Sequence, residues 1–394
     1  MKYCVLIIDG AAGWPLPWRG GKTSLELART PNMDALVREG MLGMASTVPT
    51  GMEPSSACAC MSVLGYDPVL YYHGRGAIEA RSMGITVDKG EAVFRCNLVS
   101  VQAGQMASYS SGYISSGESR TLIAFLNEKM GGEEVFFYPG VGYRHICKIK
   151  GHTETLRAVC TPPHDIPGQE IKEFLPRGRG SGVLRDLMKR SAAVLEGHPV
   201  NLERRKKGEF PASAIWLFWG SGQIPDLPAF RKVYGLEASL TSGVDLLRGL
   251  AKMMEVEVLD IAGVTDGPDN DYAAQAEEAL RALARKDMVV VHVEAPDEAG
   301  HAGDIDAKVE AIQQVDREIV RRIRDWEGGP LRVLIMPDHP TPIEFRTHVR
   351  EEVPFLLWGR GIVSNGGQRF TEREARSTAF HEGKGYNLMS RLVE

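Results

Sequence analysis

Three apolar runs in this chain stop on or just before an aspartate. They are CVLIID at 4–9, MVVVHVEA at 288–295 followed by Pro296-Asp297, and LRVLIMPD at 331–338. Each is continuous rather than alternating, which suits strands covered on both faces, as in a buried parallel sheet. AIWLFWG (214–220), VEVLDIAG (256–263) and VPFLLWG (353–359) share that pattern and are assigned to the same sheet. Helical segments separate the runs. Between 308 and 327, Val309, Ile312, Val315, Ile319, Ile323 and Trp326 recur at three- and four-residue steps, with Lys, Glu, Asp and Arg on the other side. Thr30-Pro31-Asn32-Met33-Asp34 reads as a helix start, with Thr30 as N-cap and Pro31 at the first helical position. Strand–helix alternation of this kind predicts a doubly wound α/β domain. Functional residues then belong outside the carboxyl ends of the strands, where Asp9, Asp297 and Asp338 sit.

Residues 100–207 have a different grammar. They hold the Ser/Gly-rich SYSSGYISSGES, a helix-like TLIAFLNEKM, short strand-like runs (EVFFYP, HICKIK, TLRAVC) and the polar PRGRGSG. The segment closes on Glu203-Arg204-Arg205-Lys206-Lys207, which reads as an exposed linker. A smaller α+β domain at 100–207, inserted into a discontinuous domain made of 1–99 and 208–394, accounts for both patterns. At 394 residues the chain is long enough for that arrangement.

Composition narrows the partners. A formal charge of −5 gives no basic field of the kind that phosphate-backbone binding leaves, so nucleic acid is not expected as a partner. No apolar run approaches the roughly 20 residues that span a bilayer. The N-terminal apolar stretch meets Asp9 at once, which fits a first strand and not a secretory signal. The six cysteines are expected as reduced thiols in a cytoplasmic protein, and no CxxC pair suggests a structural zinc site.

The candidate chemistry lies near the C-terminus, in Asp297 and His301 of APDEAGH, Asp338 and His339 of MPDHP, and His348 of FRTHV. If the chain turns helically at 297, spacing of four puts Asp297 and His301 on one face, able to hold one ion. Pro337 and Pro340 flank Asp338-His339 and break the strand into a loop, which lets both neighbours face one ligand. Taken singly, each of these is also what a capped helix start or a polar strand end looks like. Together with Asp9 they place three aspartates and three histidines near the strand ends of one sheet. Mixed oxygen and nitrogen ligands suit Mn²⁺ or Zn²⁺ better than Ca²⁺. Two such ions polarise a phosphoryl oxygen and activate a bound hydroxyl.

The nucleophile is open between water and a serine. Ser55 and Ser56 follow Pro54 and precede a small-residue helix at 57–64, where backbone N–H groups favour an anion. A serine there is also an ordinary N-cap. Cys58 and Cys60 are thiols or soft ligands in principle, and small packing residues on a buried helix by the simpler reading.

Taken in order, Asp-Gly, TPNMD, a serine before LGYDP, YYHGRGAIEA, FRCN, DEAGH, PDHPTP and THVREEVP resemble the cofactor-independent phosphoglycerate mutases of archaeal type, within the alkaline phosphatase superfamily. The similarity runs from residue 1 to about 100 and from about 211 nearly to the end. It implies an α/β, alkaline-phosphatase-like domain carrying an inserted substrate domain. The implied chemistry passes the phosphoryl group of 3-phosphoglycerate to a serine and back to the 2-hydroxyl, with two Mn²⁺ ions (Zn²⁺, Co²⁺ and Mg²⁺ being alternatives). By motif, Asp297, His301 and His348 would hold one ion, and Asp9, Asp338, His339 and Ser56 the other. Counting back from LGYDP puts the nucleophile at Ser56.

The departures from the family pattern fall on the substrate side. Ala12-Gly13-Trp14-Pro15 stands where Gly-Asp-Arg-Pro is frequent, Ala57 where an acid follows the serine, and Cys60 where a His or Asn is usual. Ser108-Tyr109-Ser110-Ser111-Gly112-Tyr113 replaces an Asp-Arg-Arg-Ala-Gly-Arg stretch, and Pro162 replaces an aspartate. Losing three arginines removes bidentate grips on phosphate or carboxylate. Arg95, Arg144 and His164 are the surviving candidate substrate contacts. The loss motivates an alternative, a metal-dependent phosphatase or phosphotransferase acting on another small phosphorylated metabolite, such as a homoserine-kinase-like enzyme. A non-catalytic metal-binding protein is the third reading, and the intact ligand set speaks against it.

Overall fold

The computed structural model describes residues 1–72, 74–223 and 226–394, which leaves His73 of the YYHGRG motif outside the described residues. The chain forms two compact units, Met1–Tyr72 with Asp226–Glu394, and His73–Pro225. The second unit is wider than the 100–207 expected. It takes in the helix Arg75–Ser82 and the strands Glu91–Gln102 and Ala214–Ser221, which pair or pack with elements of that unit.

The first unit is built on an eight-stranded sheet. Lys2–Ile8 lies at its centre, parallel to Met288–Val293 on one side and Leu331–Met336 on the other. The next strand beyond Met288–Val293 is Ala238–Thr241, a short polar-edged strand (ASLT) that no apolar run betrays. Val353–Gly359 was expected in a parallel sheet but pairs antiparallel with both Leu331–Met336 and Met41–Ala45. The physical reason is the connection. Residues 337–352 form a loop without a crossover helix, and a parallel return needs such a crossover. VEVLDIAG contributes only the two-residue edge strand Glu257–Val258.

Helices cover the sheet through an apolar core that includes Leu6, Ile8, Val291, Val293, Ile312, Ile319, Val333 and Ile335. The periodic stretch at 308–327 is helical over Ile305–Gln314, loosens into a π turn at Val315–Val320 and closes at Arg321–Arg324. Pro31–Glu39 is the helix its sequence predicts, with Pro31 in the first turn. Thr30 does not cap it with its side chain. Asp316, in the π turn, accepts the N–H groups of Met33 at 2.7 Å and Asn32 at 3.2 Å instead. A tertiary carboxylate has taken the role expected of a local hydroxyl.

In the second unit, Glu91–Gln102 is the hub of a five-stranded sheet, antiparallel to Gln105–Ser108, Arg144–Lys150 and Ala214–Ser221. AIWLFWG therefore belongs here, not to the first sheet. Val135–Tyr138 pairs with Arg144–Lys150 at its edge. The helices Ser116–Met130 and Ser181–Leu195 pack over a separate core containing Phe94, Leu122, Phe137, Leu184, Trp216 and Phe218. TLRAVC is not a strand; its first three residues complete a 3₁₀ turn at Thr153–Arg157.

Candidate metal centre and active site

Asp9 leaves the central strand at its carboxyl end and is fully buried. The next residue must be glycine. Gly10 has φ +61°, and a Cβ there would stand 2.4 Å from Asp297 Oδ1 and 2.7 Å from Thr341 Oγ1. Without a side chain, the turn lets the Gly10 N–H donate to Asp338 Oδ1 at 3.2 Å. The Ala12 carbonyl of the same turn accepts from the Thr341 N–H at 3.1 Å. The loops after two adjacent parallel strands are thereby pinned together.

Asp297 and His301 fall on Ala295–Ala302, a helix started by Pro296 just after Met288–Val293. Their four-residue spacing brings His301 Nε2 to 3.0 Å from Asp297 Oδ2. His348 joins them, its Nε2 at 3.0 Å from His301 Nε2 and 3.6 Å from Asp297 Oδ2. The Arg346 carbonyl lies 2.9 Å from His301 Nδ1, which fixes the ring with Nε2 toward its partners.

Asp338 and His339 follow Leu331–Met336 where the strand gives way to a loop. His339 Nε2 lies 3.3 Å from Asp338 Oδ2, 3.5 Å from Asp9 Oδ1 and 3.2 Å from Ser56 Oγ. Ser56 is the first residue of the helix Ser56–Val63, and Ser55 is its N-cap, with a hydroxyl that accepts from the Cys58 N–H at 3.3 Å. The two adjacent serines thus divide the work between capping and facing the site.

Several groups at this centre carried no signal strong enough to single them out. His292, one polar residue inside MVVVHVEA, places Nε2 2.7 Å from Asp9 Oδ2. Glu294 lies 3.6 Å from the same nitrogen. Thr341 hydrogen-bonds Asp297 Oδ1 and stands 3.3 Å from His339 Nδ1. Lys308, expected on the solvated side of its helix, is fully buried and donates to the carbonyls of Ala12 at 3.1 Å and Thr341 at 2.7 Å. Cys60, which the sequence offers as a packing residue or a soft ligand, has its Sγ 3.3 Å from Asp338 Oδ2.

The electrostatics are those of a cation site. Burial, then the charges of Asp338 and Asp297, drive the Asp9 carboxyl well above the ordinary range. Burial and the charges of Asp9 and Asp297 do the same to Glu294. Burial also works against ionised Asp297, but the His348 charge and hydrogen bonds from His301 and His348 hold it well below the usual value. His301 rises to about 9, because its bond and charge interaction with Asp297 outweigh its own burial. Burial takes His339 down to about 4. Among the described residues, Asp9 Oδ1 and Glu294 Oε2 have no hydrogen-bond partner. Buried carboxylates with orphaned oxygens are costly unless a cation completes them, and the imidazoles supply nitrogen donors beside them. Ligand atoms of Asp9, Asp338 and His339, and those of Asp297, His339 and His348, lie within 4.8 Å of one another. The residues present fit divalent ions.

The three substrate-side candidates lie in the second unit. Arg95 is committed internally, its guanidinium paired with Glu79 and its Nε donating to Asn97 Oδ1 at 3.2 Å. Burial opposes ionised Glu79, yet Arg95 and Arg75 bring it down to about 2. His164 packs edge-on against Tyr109 and Phe218 and is tilted against Trp219, over which Arg75 lies at 4.1 Å. Arg144 lies 5.5 Å from the Tyr143 ring centre, and Tyr143 contacts Tyr109 and Tyr113 edge-on. The tyrosines that replace the arginine stretch are therefore part of one aromatic cluster with His164.

The family model for 2,3-bisphosphoglycerate-independent phosphoglycerate mutase matches residues 37–201. A Methanosarcina barkeri protein of that name is 43% identical over 398 residues, covering 100% of both chains. One from Methanothrix thermoacetophila is 43% identical over 396 residues, again covering 100% of both. A solved structure of a Pyrococcus horikoshii protein superposes with a TM-score of 0.83 at 26% identity, covering 99% of this chain and 96% of that one. On the strength of the full-length relatives, this chain belongs to the 2,3-bisphosphoglycerate-independent phosphoglycerate mutase family.

Proposed function

We propose that the protein interconverts 3- and 2-phosphoglycerate without 2,3-bisphosphoglycerate, through a phosphoserine at Ser56. The observation that carries this reading is Ser56 Oγ at 3.2 Å from His339 Nε2, among buried Asp9, Asp338 and Asp297. Asp297, His301 and His348 would hold one divalent ion, and Asp9, Asp338, His339 and Ser56 the other, with Mn²⁺ favoured by the mixed donors. When bound, such ions polarise the phosphoryl oxygens and lower the pKa of the serine hydroxyl.

Ser56 Oγ attacks the phosphorus of 3-phosphoglycerate. The Oγ–P bond forms as the bond from phosphorus to the C3 oxygen breaks, and the departing oxygen gains a proton for the one Ser56 loses. The 2-hydroxyl then attacks the phosphoserine, the Oγ–P bond breaks, and Ser56 recovers its proton. Capping by Ser55 fixes the helix start and so the position of Ser56 Oγ. In the second unit, Arg144 and His164 are the candidate substrate contacts. Arg95 acts by holding Glu79.

The small phosphorylated substrates and products are cytoplasmic metabolites, and we place the enzyme there. No helix of the described residues is long and apolar enough to cross a membrane. The reading as a phosphatase or other phosphotransferase is not favoured, since the full-length relatives share the mutase name.

The test is conversion of 3- to 2-phosphoglycerate by the folded protein with Mn²⁺ and no 2,3-bisphosphoglycerate. Absence of turnover across Mn²⁺, Co²⁺, Zn²⁺ and Mg²⁺, with the protein folded, would overturn it.

A further inference from the structure

Three groups that the phosphoryl transfer does not call on stand around Asp9. Cys60 and His292 are buried, and Glu294 directs a buried, unpartnered Oε2 at the same place among the described residues. Donor atoms of Asp9, Cys60 and His292 lie within 4.8 Å of one another, a grouping that includes neither His339 nor His348. His292 Nε2 faces Asp9 Oδ2 at 2.7 Å and Glu294 Oε2 at 3.6 Å. Its Nδ1 is held 2.9 Å from Ser242 Oγ, and that hydroxyl accepts from the Val244 N–H at 3.0 Å. An imidazole anchored through one nitrogen with the other turned on carboxylates is the arrangement that metal-binding histidines adopt.

We infer that Asp9, Cys60 and His292 form a third cation site, which shares Asp9 with the two-ion centre and takes a thiophilic divalent ion such as Zn²⁺ or Co²⁺. Binding releases the Cys60 proton to solvent, and the sulfur lone pair goes to the ion. Asp9 already faces the two-ion centre, so the added dication is offset by the Cys60 thiolate together with an ionised Glu294, whose Oε2 lies 3.6 Å from His292 Nε2. Thiolate and imidazole select softer ions than carboxylates alone do.

The experiment uses the full-length protein, stripped with a chelator and titrated with Co²⁺, and its readouts do not depend on turnover. The wild type should develop a thiolate-to-cobalt charge-transfer band in the near ultraviolet and retain a third equivalent by elemental analysis. Cys60→Ser should lose the band and the third equivalent while keeping the other two. Cys58→Ser, at the neighbouring buried cysteine, should keep both. His292→Gln should lose the third equivalent as well, which supplies a second test if Cys60→Ser does not fold. A wild type with no band, a band that survives Cys60→Ser, or a band accompanied by only two equivalents would each overturn the inference.

Discussion

Gly10 and Asp297 approach so closely that no side chain fits between them, a Cβ on Gly10 standing 2.4 Å from Asp297 Oδ1. Because φ at Gly10 is +61°, alanine would be strained there even with space available. Gly10→Ala should move Asp9 or Asp297 off position while the sheet persists. Displacements near 1 Å cost on the order of 100-fold in rate. The expected result is a kcat lower by about that factor, with reduced metal content by elemental analysis and an unchanged circular dichroism spectrum.

The adjacent serines separate capping from chemistry. Ser56→Ala should abolish covalent labelling by phosphate and leave stability near wild type. Ser55→Ala removes the hydroxyl that accepts the Cys58 N–H and should cost about 1 kcal/mol of stability with the phosphoenzyme still formed. Mass spectrometry of the acid-quenched enzyme and thermal unfolding measure the two effects. Phosphate retained on Ser56→Ala would remove Ser56 as nucleophile.

Lys308 ties the turn after Asp9 to the loop after His339 through the carbonyls of Ala12 and Thr341. Burial brings its ammonium down to about 8. Lys308→Met keeps the volume but takes the donor from the buried Thr341 carbonyl, at about 1–3 kcal/mol, while the Ala12 carbonyl keeps the Thr341 N–H. Lower thermal stability together with weaker metal retention in dialysis is the expected outcome. Unchanged retention would show that the two loops hold their positions without it.

Acid sensitivity in the second unit should report on Glu79. Its folded value of about 2 lies below its ordinary 4.5, so the folded state binds fewer protons than the unfolded one between those values. The stabilisation is complete above pH 4.5 and is lost as pH falls toward 2, amounting to about 3 kcal/mol. Glu79→Gln should flatten that part of the stability–pH curve. At neutral pH it should also destabilise by about 3–5 kcal/mol, because Arg95 and Arg75 lose their buried counter-charge. Urea unfolding at several pH values, wild type against variant, gives both numbers.

The sequence by itself determined the three central parallel strands and where they end. A segment buried on both faces must be apolar throughout, so 4–9, 288–295 and 331–338 announce themselves, and an aspartate closing such a run is conspicuous. Local rules also placed Asp297 and His301 on one helical face and put Pro31 in the first turn of its helix. Tertiary structure alone decided which sheet received AIWLFWG, because its composition is the same whether it pairs with Glu91–Gln102 or with the strands of the first unit. It also decided that Val353–Gly359 runs antiparallel, since strand direction follows from a connection and not from side chains. The same holds for Lys308 and His292. Each looks ordinary in its own helix or strand, and the groups that give it a role lie 296 and 283 residues away, in Ala12 and Asp9. Periodicity records whether a position is covered; what covers it is fixed only when distant strands pair.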